Sequence, residues 1–245
     1  TESRTVADSL LNLLLKNRPP IDKVIFYLKR GIKYLPVTKY GHKQLNVINR
    51  DGKERALGLY IPWGYRPEKE YPLLVFLHGG VMGKHSQKGA RAYRSIMRDT
   101  VEQEYFLASI TGEQGATWFE PLGIANILQG IRLIKERYNI DPDRIFLLGV
   151  SDGGSGCYLI GNLLPSSFAG FVVLSGFPGI LNILHIPLHL ENIKQRPWYV
   201  VHTGHDRLYP AEQVRWYLKI FKQNGVKVTG CLLYTSPSPR DLSTS

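Results

Sequence analysis

The segment Gly149-Val150-Ser151-Asp152-Gly153 constrains this chain more than any other. It follows the apolar run Arg144-Ile145-Phe146-Leu147-Leu148 and precedes the small-residue run Gly154-Ser155-Gly156-Cys157-Tyr158-Leu159-Ile160. That order reads as strand, sharp turn, helix. A serine on such a turn has its hydroxyl exposed at the carboxyl edge of a sheet. Glycines flank it because strand and helix nearly collide there. The N–H of Asp152 would then point at an oxyanion developing beside Ser151.

A serine nucleophile needs a second oxyanion donor, an acid and a base. Upstream, Tyr71-Pro72-Leu73-Leu74-Val75-Phe76-Leu77 reads as a buried strand ending in His78-Gly79-Gly80. The loop after such a strand is a source of the second N–H. Gly80 is assigned that role, with Val81 as the other candidate. His78 is expected to bond the loop backbone rather than carry protons. The bland alternative for the glycine pair is an ordinary turn. Downstream, Arg196-Pro197-Trp198-Tyr199-Val200-Val201-His202 reads as another core strand, followed by Thr203-Gly204-His205-Asp206-Arg207-Leu208-Tyr209-Pro210. A carboxylate in that loop would orient an imidazole, so Asp206 is the candidate acid. Its other reading is a turn residue or the N-cap of a helix starting near Pro210.

With these motifs in order, the chain resembles the α/β-hydrolase superfamily. Within it, it is similar to the group of dienelactone hydrolases, polyhydroxybutyrate depolymerases, feruloyl esterases and prolyl-oligopeptidase catalytic domains. The matching pieces are Tyr71 to Gly80, Tyr138-Asn139-Ile140-Asp141-Pro142-Asp143-Arg144-Ile145, Ser151-Asp152-Gly153-Gly154 and Gly204 to Pro210. They span about residues 45 to 230. The resemblance implies a mostly parallel sheet flanked by helices. It also implies hydrolysis of carboxylic esters through an acyl-enzyme on Ser151, with Asp206 as acid and Gly80 and Asp152 N–H groups as the oxyanion hole. The alternatives are a prolyl-oligopeptidase-type peptidase and a non-catalytic hydrolase-like binding module. In this group the catalytic histidine follows the last strand, but no histidine follows Asp206 here.

The stretch from Cys231 to Asp241 reads as an in-frame translation of a transposase-type sequencing adapter. Residues 231–245 are therefore expected to be a non-native tail, with the last strand and the histidine loop truncated and the hydrolase domain running over 41–230. The chain also begins at Thr1 rather than Met. A serine without its base keeps only the oxyanion-hole and binding contributions, so the chain is expected to be nearly inactive. His42, His85, His185, His189, His202 and His205 are expected to be structural or solvated.

Composition fits a globular α/β protein: 43% of residues are hydrophobic and 21% charged. The net charge of +11 permits loose attraction to anionic surfaces. The basic residues lack a stripe with interleaved aromatics, so nucleic acid is not an expected partner. One local run, Lys84, His85, Lys88, Arg91, Arg94 and Arg98, reads as a solvated helix face or a cationic rim for acidic substrates. No motif calls for a metal or an organic cofactor. The expected partner is a small-molecule ester or a short peptide; oligomeric state is left open. Only Cys157 remains outside the tail, which leans towards a reducing, cytoplasmic compartment. Leu10 to Leu15 is too short for a membrane span.

Residues 1–40 read as a helical segment, with Val6 to Leu15 in one helix and a second helix capped by Asp22. Residues 44–61 hold two strands around Arg50-Asp51-Gly52-Lys53, a hairpin signal. Strands and helices then alternate: Phe106 to Ile110, a helix from Leu122 to Tyr138, Phe171 to Leu174, and a last strand beginning at Gly225-Val226-Lys227-Val228-Thr229. Such alternation implies a parallel sheet covered by helices. The apolar stretch within 176–195 is expected to line an acyl pocket, form a small lid, or pack as a core helix. Trp118 and Phe119 are expected to border the cleft.

Overall fold

The sheet is built around the buried apolar runs that the motifs follow. In a computed structural model, which describes residues 2–31, 33–81, 89–92 and 104–233, eight strands form one sheet. They are β1 (Gly41–Ile48), β2 (Glu54–Ile61), β3 (Tyr71–Leu77), β4 (Phe106–Ile110), β5 (Ile140–Val150), β6 (Gly170–Leu174), β7 (Trp198–Thr203) and β8 (Val228–Leu233). Their order is β1-β2-β4-β3-β5-β6-β7-β8. β1 pairs β2, and β2 pairs β4, antiparallel; the remaining pairs are parallel. β4 lies on one side of β3 and β5 on the other, so the connections diverge at β3. In open α/β sheets the crevice beyond the carboxyl ends at such a switch is where ligands bind. The paired ends Leu77 and Gly149 put the His78-Gly79-Gly80 loop beside Ser151.

The helices of this unit are α3 (Gly89–Ala92), α4 (Pro121–Lys135), α5 (Asp152–Leu163), α6 (Ile180–Ile183), α7 (Leu190–Ile193) and α8 (Ala211–Gln223). α5 is buried from Gly153 to Asn162. Its glycines let it lie against the sheet and its loops: a β-carbon on Gly161 would meet the Trp198 ring at 2.5 Å. Trp198 in turn stacks between Phe171 (4.2 Å) and Tyr158 (5.3 Å). Large rings thus fill the space that α5 leaves by lacking side chains.

Contacts divide the chain into Thr1–Leu35 and Pro36–Ser245. The first unit holds α1 (Glu2–Asn17) and α2 (Ile21–Arg30). Asp22 does not cap α2. The Pro20 carbonyl accepts from the Lys23 and Val24 N–H groups, and Asp22 lies inside the first turn, where a negative charge complements the helix dipole.

The last strand differs from the sequence reading. Gly225 (φ +79) and buried Val226 form the turn before it, so β8 starts later, at Val228. It runs on through Cys231, Leu232 and Leu233, paired with Val201, His202 and Thr203, three residues past the boundary at 230. A ladder is made by backbone groups, so whatever side chains follow Gly230 can extend it along β7. Among the described residues no helix is long and apolar enough to cross a membrane. Of the basic run after the H-G-G loop, Lys84, His85, Lys88, Arg94 and Arg98 lie outside the described residues; Arg91 is exposed on α3.

Candidate functional site

Ser151 sits between β5 and α5 with φ 54 and ψ −120. A residue with a β-carbon pays about 1–3 kcal/mol for such a conformation, and it persists only where surroundings hold it. Here the Ser151 N–H donates to the Leu174 carbonyl at 2.9 Å, and the Ser155 N–H donates to the Ser151 carbonyl at 2.9 Å. The flanking glycines answer to close approach. A β-carbon on Gly149 would lie 2.2 Å from the Gly153 carbonyl oxygen, and one on Gly153 would lie 2.0 Å from that of Leu77.

The H-G-G loop closes over the serine from β3. A β-carbon on Gly79 would be 2.9 Å from Ser151 Cβ, so only a glycine lets the loop come this near. Gly80 has φ +71, and among the described residues no acceptor takes its N–H. The Val81 N–H is occupied: it donates to Asp152 Oδ2 at 3.0 Å. Of the two sequence candidates for the second oxyanion donor, Gly80 is the one left available.

His78 is buried and fully engaged. Its Nε2 accepts the Gly112 N–H at 3.0 Å, which places its proton on Nδ1, facing the Gly79 carbonyl at 2.8 Å. Burial pushes its pKa down, against the weaker opposing pull of the Gly79 bond and the Asp152 charge, so the ring stays neutral and supports the loop. Trp118 holds the same residue through its indole N–H, which donates to the His78 carbonyl at 2.8 Å. Trp118 is fully buried. It therefore does not border the open cleft, contrary to the sequence expectation; its aromatic bulk fills the space above Gly112 and Gly156.

Asp206 lies in the loop after β7. Its Oδ1 accepts the N–H groups of Leu208 (2.9 Å) and Tyr209 (3.0 Å), the bonding of a carboxylate that shapes its own turn. Among the described residues no imidazole bonds Asp206 or Ser151. His205 is exposed. His202 is buried, with Nε2 bonded to the Tyr209 carbonyl at 2.8 Å.

Tyr209 is the residue the sequence reading passed over. Its hydroxyl donates to Asp152 Oδ1 at 3.3 Å, and its ring stacks on Phe177 with centroids 5.4 Å apart and planes nearly parallel. Nothing local marks it, since its partners lie on other loops. Phe177 also forms one wall of a cleft of about 540 Å³ between α6 and α8, whose lining includes Asn182, Ile183, Glu212, Trp216 and Tyr217. The apolar stretch at 176–195 divides its labour accordingly. Leu181 and Ile193 are buried in the core, while Ile183 is 64% exposed at the cleft.

A strained serine at the carboxyl edge of a mostly parallel sheet, between its switch-point loops and a buried glycine-rich helix, defines the α/β-hydrolase fold. The chain has the fold of the α/β-hydrolase superfamily. Residues 57–166 match the BD-FAE family model. The chain is 26% identical over 187 residues to the bifunctional acetylxylan esterase/xylanase XynS20E of Neocallimastix patriciarum, covering 74% of this chain and 26% of that protein. Among solved structures it is similar to a thermostable esterase, at 25% identity and TM-score 0.64, over 80% of this chain and 55% of the other. It shares its fold with the CE1 ferulic acid esterase of the anaerobic fungus Anaeromyces mucronatus, at 17% identity and TM-score 0.58, over 82% and 85% of the two chains. The chain thus spans about a quarter of the length of the curated relative it matches, and about half of the thermostable esterase.

Proposed function

We propose that this chain carries the catalytic core of a serine hydrolase of carboxylic esters. The observation that carries the reading is Ser151, held at φ 54 directly beneath the Gly79-Gly80 loop. The similarity to esterases supports it. In this reading Ser151 Oγ attacks the acyl carbon and passes its proton to a base. The Gly80 and Asp152 N–H groups hold the oxyanion, and the alcohol leaves with that proton. Water then attacks the acyl-enzyme, gives its proton to the base, and releases the acid and free Ser151. Asp206 is the residue proposed to orient the base. The resemblance places that base on a histidine after the last strand, and residues 207–245 contain none. Turnover by this chain is therefore expected to be slow, because Ser151 attacks without that base.

The test is release of p-nitrophenol from p-nitrophenyl acetate by the chain and by its Ser151→Ala variant. The reading requires release at least tenfold faster from the unaltered chain. Equal rates would overturn it.

A further inference from the structure

Three separate loops meet at this site: the Gly79–Val81 loop after β3, the turn after β5, and the Asp206 loop after β7. A catalytic constellation must be held to within about 0.5 Å to be effective, and no covalent link joins these loops. The Asp152 side chain does join them. Its Oδ2 accepts the Val81 N–H at 3.0 Å, across 71 positions of sequence. Its Oδ1 accepts the Tyr209 hydroxyl at 3.3 Å. Tyr209 is itself tied down from three directions. Its N–H donates to Asp206, its carbonyl meets the buried His202 ring, and its own ring stacks on Phe177.

We infer that the Asp152 carboxylate is a positioning group that clasps the oxyanion loop and the acid loop to the serine turn. The inference rests on the ester-hydrolase reading for its catalytic consequence. One residue then serves twice. Its backbone N–H is one proposed oxyanion donor, and its side chain fixes the loop that carries the other. Holding Val81 by its N–H also sets the peptide plane next to Gly80, whose positive φ aims its own N–H. With the carboxylate removed, the buried Val81 N–H loses a charged acceptor, and the loop moves to find another partner. A displacement near 1 Å at reacting groups costs on the order of a hundredfold in rate. Because the clasp is made by hydrogen-bond acceptors, an amide should restore much of it. In the Asp152→Asn variant the side-chain carbonyl would accept from Val81, and the side-chain NH₂ would donate to the Tyr209 oxygen.

The test compares the unaltered chain with Asp152→Ala, Asp152→Asn and Tyr209→Phe. Two readouts are used: kcat and KM for p-nitrophenyl acetate, and hydrogen exchange at the Val81 amide. Asp152→Ala is expected to lower kcat by about tenfold to a hundredfold with KM within about twofold. It should also speed Val81 exchange at least tenfold. Asp152→Asn is expected to recover most of both losses, and Tyr209→Phe to cost less than about fivefold, its bond being long. The inference is overturned if Asp152→Ala leaves Val81 exchange unchanged, if its loss falls on KM alone, or if Asp152→Asn is as impaired as Asp152→Ala. Failure of the hydrolase reading shows separately, as p-nitrophenol release that does not depend on Ser151. The exchange measurement then decides the clasp alone.

Discussion

Two glycines in buried helices separate rigid from yielding surroundings. At Gly153 an added β-carbon would lie 2.0 Å from the Leu77 carbonyl oxygen and 2.9 Å from that of His78. Both are backbone atoms of β3 and its loop, held by the sheet and by the Trp118 indole. The contact falls about 1.4 Å short of the 3.4 Å at which ordinary packing begins, so α5 or β3 must move bodily. At Gly130 in α4 the same β-carbon meets only the terminal methyl carbons of Ile110 and Leu57, at 2.8 Å. Those can rotate away at about 0.5–1.5 kcal/mol, against a helix-propensity gain of about 1 kcal/mol for alanine over glycine. Gly130→Ala is therefore expected within about 1 kcal/mol of the unaltered chain. Gly153→Ala is expected to cost about 3 kcal/mol, the upper end of overpacking. In thermal melts followed by circular dichroism, that is a drop of about 6–12 °C for a chain of this size. Melting of Gly153→Ala within about 2 °C of Gly130→Ala would refute the argument that backbone contact, not crowding in general, demands glycine in the turn.

Arg55 is buried and bonds Asp51 at 2.8 and 2.9 Å and Glu113 at 2.8 Å. The Arg55 hydrogen bonds hold the Asp51 carboxyl well below the usual carboxylate range, against a smaller opposing effect of burial. Because the folded pKa is depressed, this stabilisation is fully present above the ordinary carboxylate value of about 4 and is lost as pH falls towards the folded value. The melting deficit of Asp51→Asn should be constant from pH 7 to 5 and shrink below about pH 4; a deficit unchanged down to pH 2 would contradict it. Burial pushes the Cys157 thiol far up, whereas Cys231 is partly exposed in β8. Ellman's reagent should therefore modify Cys231 in the native chain and reach Cys157 only on unfolding. Native modification of Cys157 at a comparable rate would show that α5 opens readily.

Much of the fold was legible because its signals are local. Alternating apolar runs and helix-forming segments announced a parallel sheet. The strand ending in Leu77 and the strand at Phe106–Ile110 lie where the pattern placed them, since a fully buried strand must be continuously apolar. The glycines around Ser151 also carried their reason on their face, a turn too tight for side chains. Less legible were Trp118, which reads as a rim residue but fills the core, and the 176–195 stretch, whose apolar residues face both core and cleft. Hydrophobicity by itself does not say which side of a short helix is covered.

The sequence by itself determined the order of strands and helices, the serine turn, and the loops that follow β3 and β7, because backbone propensity and periodicity act over a few residues. Tertiary structure alone decided which of those loops touch, and through which atoms. Asp152 takes the Val81 N–H from 71 positions away, Tyr209 reaches Asp152 from 57 positions away, and β8 extends through Leu233 along β7. Each of these depends on where the sheet's crossovers place distant segments. Chain folding in three dimensions sets that placement, and no local pattern encodes it.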